Sequence, residues 1–455
     1  MIPGDGELLF LPLGGCGEIG MNLNLFGHAG RWLMVDCGVT FERLNPFETA
    51  LEMPDPSFIA ARREALAGIV LTHAHEDHIG ALPLLWPQLR APVYTTRFTA
   101  EVLRRKAGGR GAAMPEPLQI VAPDAALDIG PFRLRWLPIT HSTPETCALH
   151  IDTAAGDVVH TADWKIDAEP LIGPAFRGAA FEALGRRRPD AVICDSTNAP
   201  QPGFTPSEGE VRRALRRAVG ARGGRVVVAC FASNVARLAT LAAVARDCGR
   251  HAGLLGRSLE TIRNAAASAG LLPRDFRLIE AGHLGYLPRG EVLAIATGSQ
   301  GEARAALARL AADTHPQLSL EAGDTVLFSA RTIPGNEEAV ARLLTRLRAR
   351  DIEVLQAEEA GAPLHASGHP CSGELDAMYR WLRPRLAVPV HGEARHMQAN
   401  AAVARAAGVP LALTGRNGDL FHLAPQPAVR RRAAPVGRLR LDDAGAAVPV
   451  AVTGS

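Results

Sequence analysis

Short apolar runs that break off at polar or glycine-rich turns recur along the whole chain. Residues 7–13, 22–26 and 31–36 have the length and composition of strands, and so do 68–71, 92–94 and 132–138. Other apolar runs stop just short of a residue that can carry chemistry: 158–159 before Asp163, 191–194 before Asp195 and 387–390 before His391. From Ser207 the pattern changes. Ser207-Glu208-Gly209-Glu210 is a capping box that opens a helix. Strand-like runs at 225–230, 292–296 and 325–328 now alternate with helical patterns at 234–247, 302–311 and 337–350. Such alternation predicts a parallel sheet with helices on its faces. The expected organisation is a first domain made of residues 1–205 and 365–424, an α/β domain of residues 206–364 inserted into it, and a tail of residues 425–455 rich in Pro, Ala and Arg.

The densest chemistry lies at the end of the run 68–71, in Leu71-Thr72-His73-Ala74-His75-Glu76-Asp77-His78-Ile79-Gly80. His73 and His75 sit two apart where a strand ends, so both can point to one side. Asp77 and His78 follow, and residues 79–86 read as a short helix that tolerates Pro83 only near its first turn. Four potential ligands in six positions point to a metal rather than a polar loop. Imidazole with carboxylate suits zinc, and manganese too. Asp36 ends a strand and reads equally as an orienting partner for a metal-bound histidine or as a plain turn residue. His141 and Asp163 each fall just past a strand; Asp163 can bridge two divalent ions and His141 can complete the first site. His391 is the best candidate for the last ligand of a second metal. His365 and His369 flank a Ser-Gly, where they meet substrate phosphate or protonate a leaving group, or else belong to a solvated turn. His150 and His160 read as core or surface residues, and the remaining histidines carry no assigned role.

In the inserted domain the strand ends carry polar turns at 231–234, 256–258, 297–302 and 333–337. Ser and Gly backbones before helix starts can hold a phosphate, although ordinary turns and caps use the same residues.

Composition narrows the class. Net charge is +2, so there is no global pull toward polyanions and nucleic-acid binding has to rest on local grooves. Lys106 and Lys165 are the only lysines, leaving 47 of the 49 basic residues as arginine. Arg430-Arg431-Arg432 reads as a solvated run before it reads as a nucleic-acid contact. Seven cysteines without a C-x-x-C pair argue against a disulfide framework and a thiolate zinc site. No long apolar stretch predicts a membrane span, and no leader is expected at the N-terminus, so the expected location is cytoplasmic.

The H-x-H-x-D-H pattern resembles the signature of the metallo-β-lactamase superfamily. With Gly14-Gly15-Cys16-Gly17-Glu18-Ile19-Gly20, Asp195-Ser196-Thr197-Asn198, Thr297-Gly298-Ser299-Gln300-Gly301-Glu302, Pro334-Gly335-Asn336-Glu337, His365-Ala366-Ser367-Gly368-His369 and Val390-His391-Gly392-Glu393, the chain resembles the ribonuclease J family, in the β-CASP branch of that superfamily, from Leu8 to Leu423. The resemblance implies an α/β fold: an αββα sandwich with an inserted parallel-sheet β-CASP domain. It implies a 5′→3′ exoribonuclease that prefers a 5′-monophosphate, with endonuclease activity, acting in RNA maturation and decay. It implies two divalent metal ions, zinc first and Mn or Mg as alternatives. One is held by His73, His75 and His141, the other by Asp77, His78 and His391, with Asp163 between them. His369 assists at the phosphate or the leaving oxygen, Asp195 orients it, and Ser233, His365 and Ser367 form a pocket for the 5′-terminal phosphate. The implied partner is single-stranded RNA; a homodimer and an RNA-degradation complex stay open. Two departures are mild: the family usually has Gly where this chain has Ala74 and Ala162. A third concerns length, because typical members continue into a C-terminal domain that aids dimer formation. The alternatives are a small-molecule metallohydrolase, a DNA-directed β-CASP nuclease and a catalytically silent RNA-binding subunit.

Overall fold

In a computed structural model, every residue is described except 46–47, 111–113, 334, 358–360, 443–444 and 451–455. Leu8–Gly14, Leu23–His28 and Arg31–Val35 pair antiparallel in succession, and Leu66–Val70, Val93–Thr95 and Leu118–Ile120 extend them in parallel. With Leu420–Ala424 and Ala428–Arg430 on the other side they make an eight-stranded sheet. A seven-stranded sheet faces it, with Ala191–Asp195 between Gly156–His160 and Leu386–Val390.

These strands are apolar on both sides because both of their faces are covered. Leu9, Leu11, Leu25 and Met34 of the first sheet pack under helices that include Leu82–Leu89 and Arg97–Arg110. Phe10, Phe26, Leu33 and Val35 point the other way, onto Leu134, Trp136, Ile151 and Ile193 of the second sheet. The far face of the second sheet, with Val159, Val192 and Ala387, lies under Gly178–Gly185, Ser372–Leu382 and Ala394–Ala406. The result is an αββα sandwich.

The inserted domain is a five-stranded all-parallel sheet in the order His251–Leu255, Val292–Ala296, Val226–Ala229, Thr325–Phe328, Glu353–Leu355. Two of its helices start on side-chain caps. Ser207 and Glu210 close a reciprocal box at Glu208–Gly220, and the Asn234 side chain accepts from Arg237 N at the head of Val235–Asp247.

Several expectations need correction. The single helix predicted over 79–86 is two, Glu76–Ile79 and Leu82–Leu89, because Ala81 N bonds out of the helix to Cys37 O. The helix predicted from 302 begins only at Ala306, since the Glu302 carboxylate turns back to accept from Gln300 N. The predicted tail contributes Ala428–Arg430 to the first sheet, while Arg438–Leu441 pairs with Glu48–Pro54 in a four-stranded antiparallel sheet that also holds Thr40–Asn45 and Ala447–Pro449. Within the basic run, Arg431 is paired with Asp419 at 2.7 Å. Pro334, part of one quoted motif, lies outside the described residues. Among the described residues no helix is long and apolar enough to cross a membrane.

Candidate metal centre

Parallel pairing aligns His160 with Ile193, and Asp195 with Val390. The turns that follow these strands therefore emerge along one edge of the second sheet, and the turn after Leu66–Val70 meets them from the first. That convergence assembles three groups that share Asp163, the first with His73, His75 and His141, the second with Asp77, His78 and His391, and the third with Asp195, His369 and His391, each with its ligand atoms within 4.8 Å of one another.

Hydrogen bonds on the outer side of each ring decide which nitrogen faces inward. Asp36, buried completely, takes His78 Nδ1 at 2.7 Å and also accepts from Thr72 N and Thr72 Oγ1. Because that hydroxyl donates to Asp36, it accepts from His73 Nδ1 at 3.0 Å. His141 Nδ1 donates to Gly368 O at 2.6 Å, and His391 Nδ1 donates to Thr197 Oγ1 at 2.7 Å. His73, His78, His141 and His391 thus all turn Nε2 to the centre, and on His73 and His141 that nitrogen is unprotonated. His75 is reversed, with Nε2 3.3 Å from Ser142 Oγ and Nδ1 inward. There His75 Nδ1 stands 3.1 Å from His73 Nε2 and 3.0 Å from His141 Nε2. Lone pairs converging so closely repel unless a cation lies among them, so the donor set fits divalent metal ions.

The electrostatics divide in the same way. Burial pushes His75 down to about 4, and holds His73 and His141 well below the usual imidazole range, aided by the neighbouring histidines. Burial would also lower His78 and His391, but Asp163 and the carboxylates beside it outweigh that and raise both. Asp163 Oδ2 is 3.1 Å from His78 Nε2 and 3.8–3.9 Å from His73 Nε2, His141 Nε2 and His391 Nε2. His391 Nε2 is also 3.1 Å from Asp77 Oδ2.

Close packing explains two glycines. A Cβ on Gly38 would fall 1.7 Å from Asp77 O, and one on Gly368 would fall 2.4 Å from His141 Cε1. Asp36 and His391 hold left-handed backbone, at φ +66° and +53°, to present their side chains. Ala162, beside Asp163, does so at +52°, where glycine would be unstrained.

His369 closes one side of the centre. Its Nδ1 is 2.8 Å from Asp195 Oδ2 and 3.9 Å from Asp163 Oδ2, and part of the ring stays exposed. Burial opposes its charge, yet Asp195 and Asp163 raise it. Ser367 Oγ accepts from Asn198 Nδ2 at 2.8 Å and from His369 N. Ser233 lies in the turn before the helix Val235–Asp247, and the turn's Phe231 ring is 6.2 Å from the ring of His365. Burial, with the Arg237 charge, pushes His365 down to about 3, and its Nδ1 has no partner. It therefore offers a neutral imidazole rather than a positive charge.

Of the two readings of Asp36, the geometry supports the orienting one. Thr72, Thr197 and Gly368 were not singled out individually from the sequence; their only signal was adjacency to a candidate ligand or membership of a quoted motif.

Three family models match parts of the chain: the metallo-beta-lactamase superfamily over residues 21–229, the ribonuclease J beta-CASP domain over 223–347, and the Zn-dependent metallo-hydrolase RNA specificity domain over 362–413. The chain is 43% identical over 442 residues to a ribonuclease J of Sinorhizobium meliloti, covering 96% of this chain and 78% of that protein. It is 38% identical to a ribonuclease J of Mycolicibacterium smegmatis, again over 96% of this chain and 78% of the relative, and 35% identical to one from Thermus thermophilus over 96% and 77%. A crystal structure of a protein of unknown function from Enterococcus faecalis shares the fold, with a TM-score of 0.63 at 14% identity over 91% of this chain and 100% of that one.

Proposed function

This chain belongs to the ribonuclease J family and is a metal-dependent ribonuclease, and from that premise we propose that it degrades RNA 5′→3′ from a 5′-monophosphate end, with internal cleavage as a second mode, in RNA maturation and decay. The observation that carries the reading is the shared Asp163: a single carboxylate joins the His73–His75–His141 group to the Asp77–His78–His391 group, the arrangement suited to two neighbouring cations on one phosphodiester. His73, His75 and His141 would hold one cation and Asp77, His78 and His391 the other, with Asp163 between. Zinc is favoured by the five imidazole nitrogens turned inward, with manganese or magnesium as alternatives. When bound, such ions supply Lewis-acid charge at the phosphoryl oxygens and acidify water.

The chain's own groups do the rest. His369, steadied through Nδ1 by Asp195, keeps its other nitrogen free to give a proton to the leaving oxygen. Ser233, His365 and Ser367 take the 5′-terminal phosphate. The helix Val235–Asp247 begins just after Ser233 and directs the positive end of its dipole at that position, while His365 Nδ1 supplies an uncommitted hydrogen-bonding atom. The RNA would lie between the sandwich and the inserted domain with its bases stacked rather than read.

The test is cleavage of one end-labelled RNA carrying a 5′-monophosphate or a 5′-triphosphate, with Mn²⁺ or Zn²⁺ and an Asp77→Ala control. Mononucleotides released from the monophosphate form, and lost in the control, support the reading. Internal cuts alone overturn the exonuclease assignment. Cleavage of DNA but not RNA of the same sequence, or of neither, overturns RNA degradation by this chain.

A further inference from the structure

One of the two lysines in this arginine-dominated chain is buried at the junction of the sandwich and the inserted domain. Lys165 is 1% exposed and lies two residues after Asp163. Its Nζ is 2.8 Å from Asp167 Oδ2 and 3.9 Å from Glu208 Oε1. Its backbone is tied to the strand end that carries His141, with Lys165 N donating to Thr140 O at 2.8 Å and Thr140 Oγ1 donating to Lys165 O at 2.6 Å. Asp167 Oδ2 also accepts Glu208 N at 3.0 Å, so the first turn of the inserted domain's first helix is bonded to the segment leaving the metal centre.

From Glu208 the seam continues into the inserted domain. Arg237 Nη2 is 3.1 Å from both Glu208 oxygens, with the guanidinium 1% exposed and the carboxylate 2%. Arg237 Nη1 donates to Ser329 O and Ser329 Oγ and reaches Leu364 O, the residue before His365. Arg237 N is held by Asn234, the residue after Ser233. Two cations and two carboxylates therefore run unbroken from the ligand segments to both sides of the candidate phosphate pocket.

Burying four charges is expensive, and an apolar seam of the same volume would hold two domains together as well or better. Directional bonds instead fix distance and register. We propose that Glu208 and Arg237 are positioning residues: their buried pair sets the spacing between the pocket around Ser233 and His365 and the metal centre, and thereby how many nucleotides from the 5′ end the RNA is cut. The inference rests on the 5′-end reading of the preceding section.

The test compares wild-type protein with Glu208→Gln and Arg237→Lys on a 3′-labelled and a uniformly labelled RNA, each with a 5′-monophosphate or a 5′-hydroxyl. Two quantities are read: the ratio of rates on the two ends, and the length of the first product. In the variants the ratio falls about tenfold and the products spread beyond mononucleotides, the scale expected when a bound group shifts by a fraction of an ångström relative to the reacting centre. Loss of folded protein alone lowers both rates together and leaves ratio and product length untouched, which would overturn the proposal. Arg237→Lys keeps the buried charge and loses only the fork, so it answers the question where Glu208→Gln fails to fold. A wild type that shows no 5′-end preference removes the premise itself, and that outcome is visible before any variant is read.

Discussion

Asp195 Oδ2 accepts His369 Nδ1 at 2.8 Å, while Asp195 Oδ1 accepts Thr197 Oγ1 at 2.8 Å, the hydroxyl on which His391 Nδ1 rests. One buried carboxylate thus orients the imidazole facing the cleft and, through a threonine, an imidazole of the candidate metal centre. Asp195→Asn keeps the shape and removes the charge. It is expected to lower kcat by about 10²–10⁴-fold, the range for general acid–base catalysis, while bound metal per chain at saturating metal stays near the wild-type value. A parallel loss of metal and activity would show that Asp195 acts mainly through the metal centre, by way of Thr197 and His391.

Asp36 supports His78 directly and His73 through Thr72, yet reaches no other candidate ligand. Asp36→Asn is the informative change because asparagine tolerates the left-handed backbone found there. Metal affinity should fall about 10–100-fold, the usual cost of losing an orienting partner. Titration of the metal-free protein with Zn²⁺ against a competing chelator measures it; unchanged affinity would return Asp36 to an ordinary turn.

The candidate ligands come from segments as far apart as His73 and His391, so bound metal should stabilise the fold as well as enable the chemistry. By mass action, ligand at 100 times its Kd contributes about 2.7 kcal/mol. Chelation should lower Tm and abolish RNA cleavage, and added Zn²⁺ or Mn²⁺ should restore both. A Tm that ignores the chelator would argue that the centre folds without metal.

Gly368 has no room for a methyl group beside His141. Gly368→Ala should cost about 1–3 kcal/mol in urea unfolding, as overpacking does, and should lower activity more than its lost folded fraction explains, because the group displaced is a candidate ligand. Gly108→Ala, with open space around it inside the helix Arg97–Arg110, is the comparison and should hold or gain stability.

Far from the centre, Asp157 Oδ2 is 2.7 Å from His150 Nε2. Burial would raise this carboxyl, but the His150 hydrogen bond and charge outweigh it and hold Asp157 below the usual carboxylate range. A lowered folded value means the contribution is complete above the unfolded value and is lost as pH falls through the folded one. The stability advantage of wild type over Asp157→Asn should therefore shrink as pH drops below ~4, the unfolded aspartate value. Urea midpoints at stepped pH measure it; an advantage that grows in acid would reverse the sign.

Residue type and local period determined a great deal by themselves. Strands at 132–138, 292–296 and 325–328, the Ser207 cap and the cluster from His73 to His78 were legible because strand alternation, capping and metal ligation each demand particular side chains at short spacing. What lay beyond that reach was every relationship between distant segments. Asp36 reads equally as a turn residue or as an orienting partner until His78, 42 positions on, comes within 2.7 Å of it. Gly368 gains its meaning from His141, 227 positions away, and Lys165, Glu208 and Arg237 show no periodic pattern that marks them as a seam. A side chain's chemistry is a local property, so a short stretch can display it. Its partner, its protonation and the nitrogen it turns inward depend on burial and on groups that only the folded chain brings near, so the tertiary structure alone decided them.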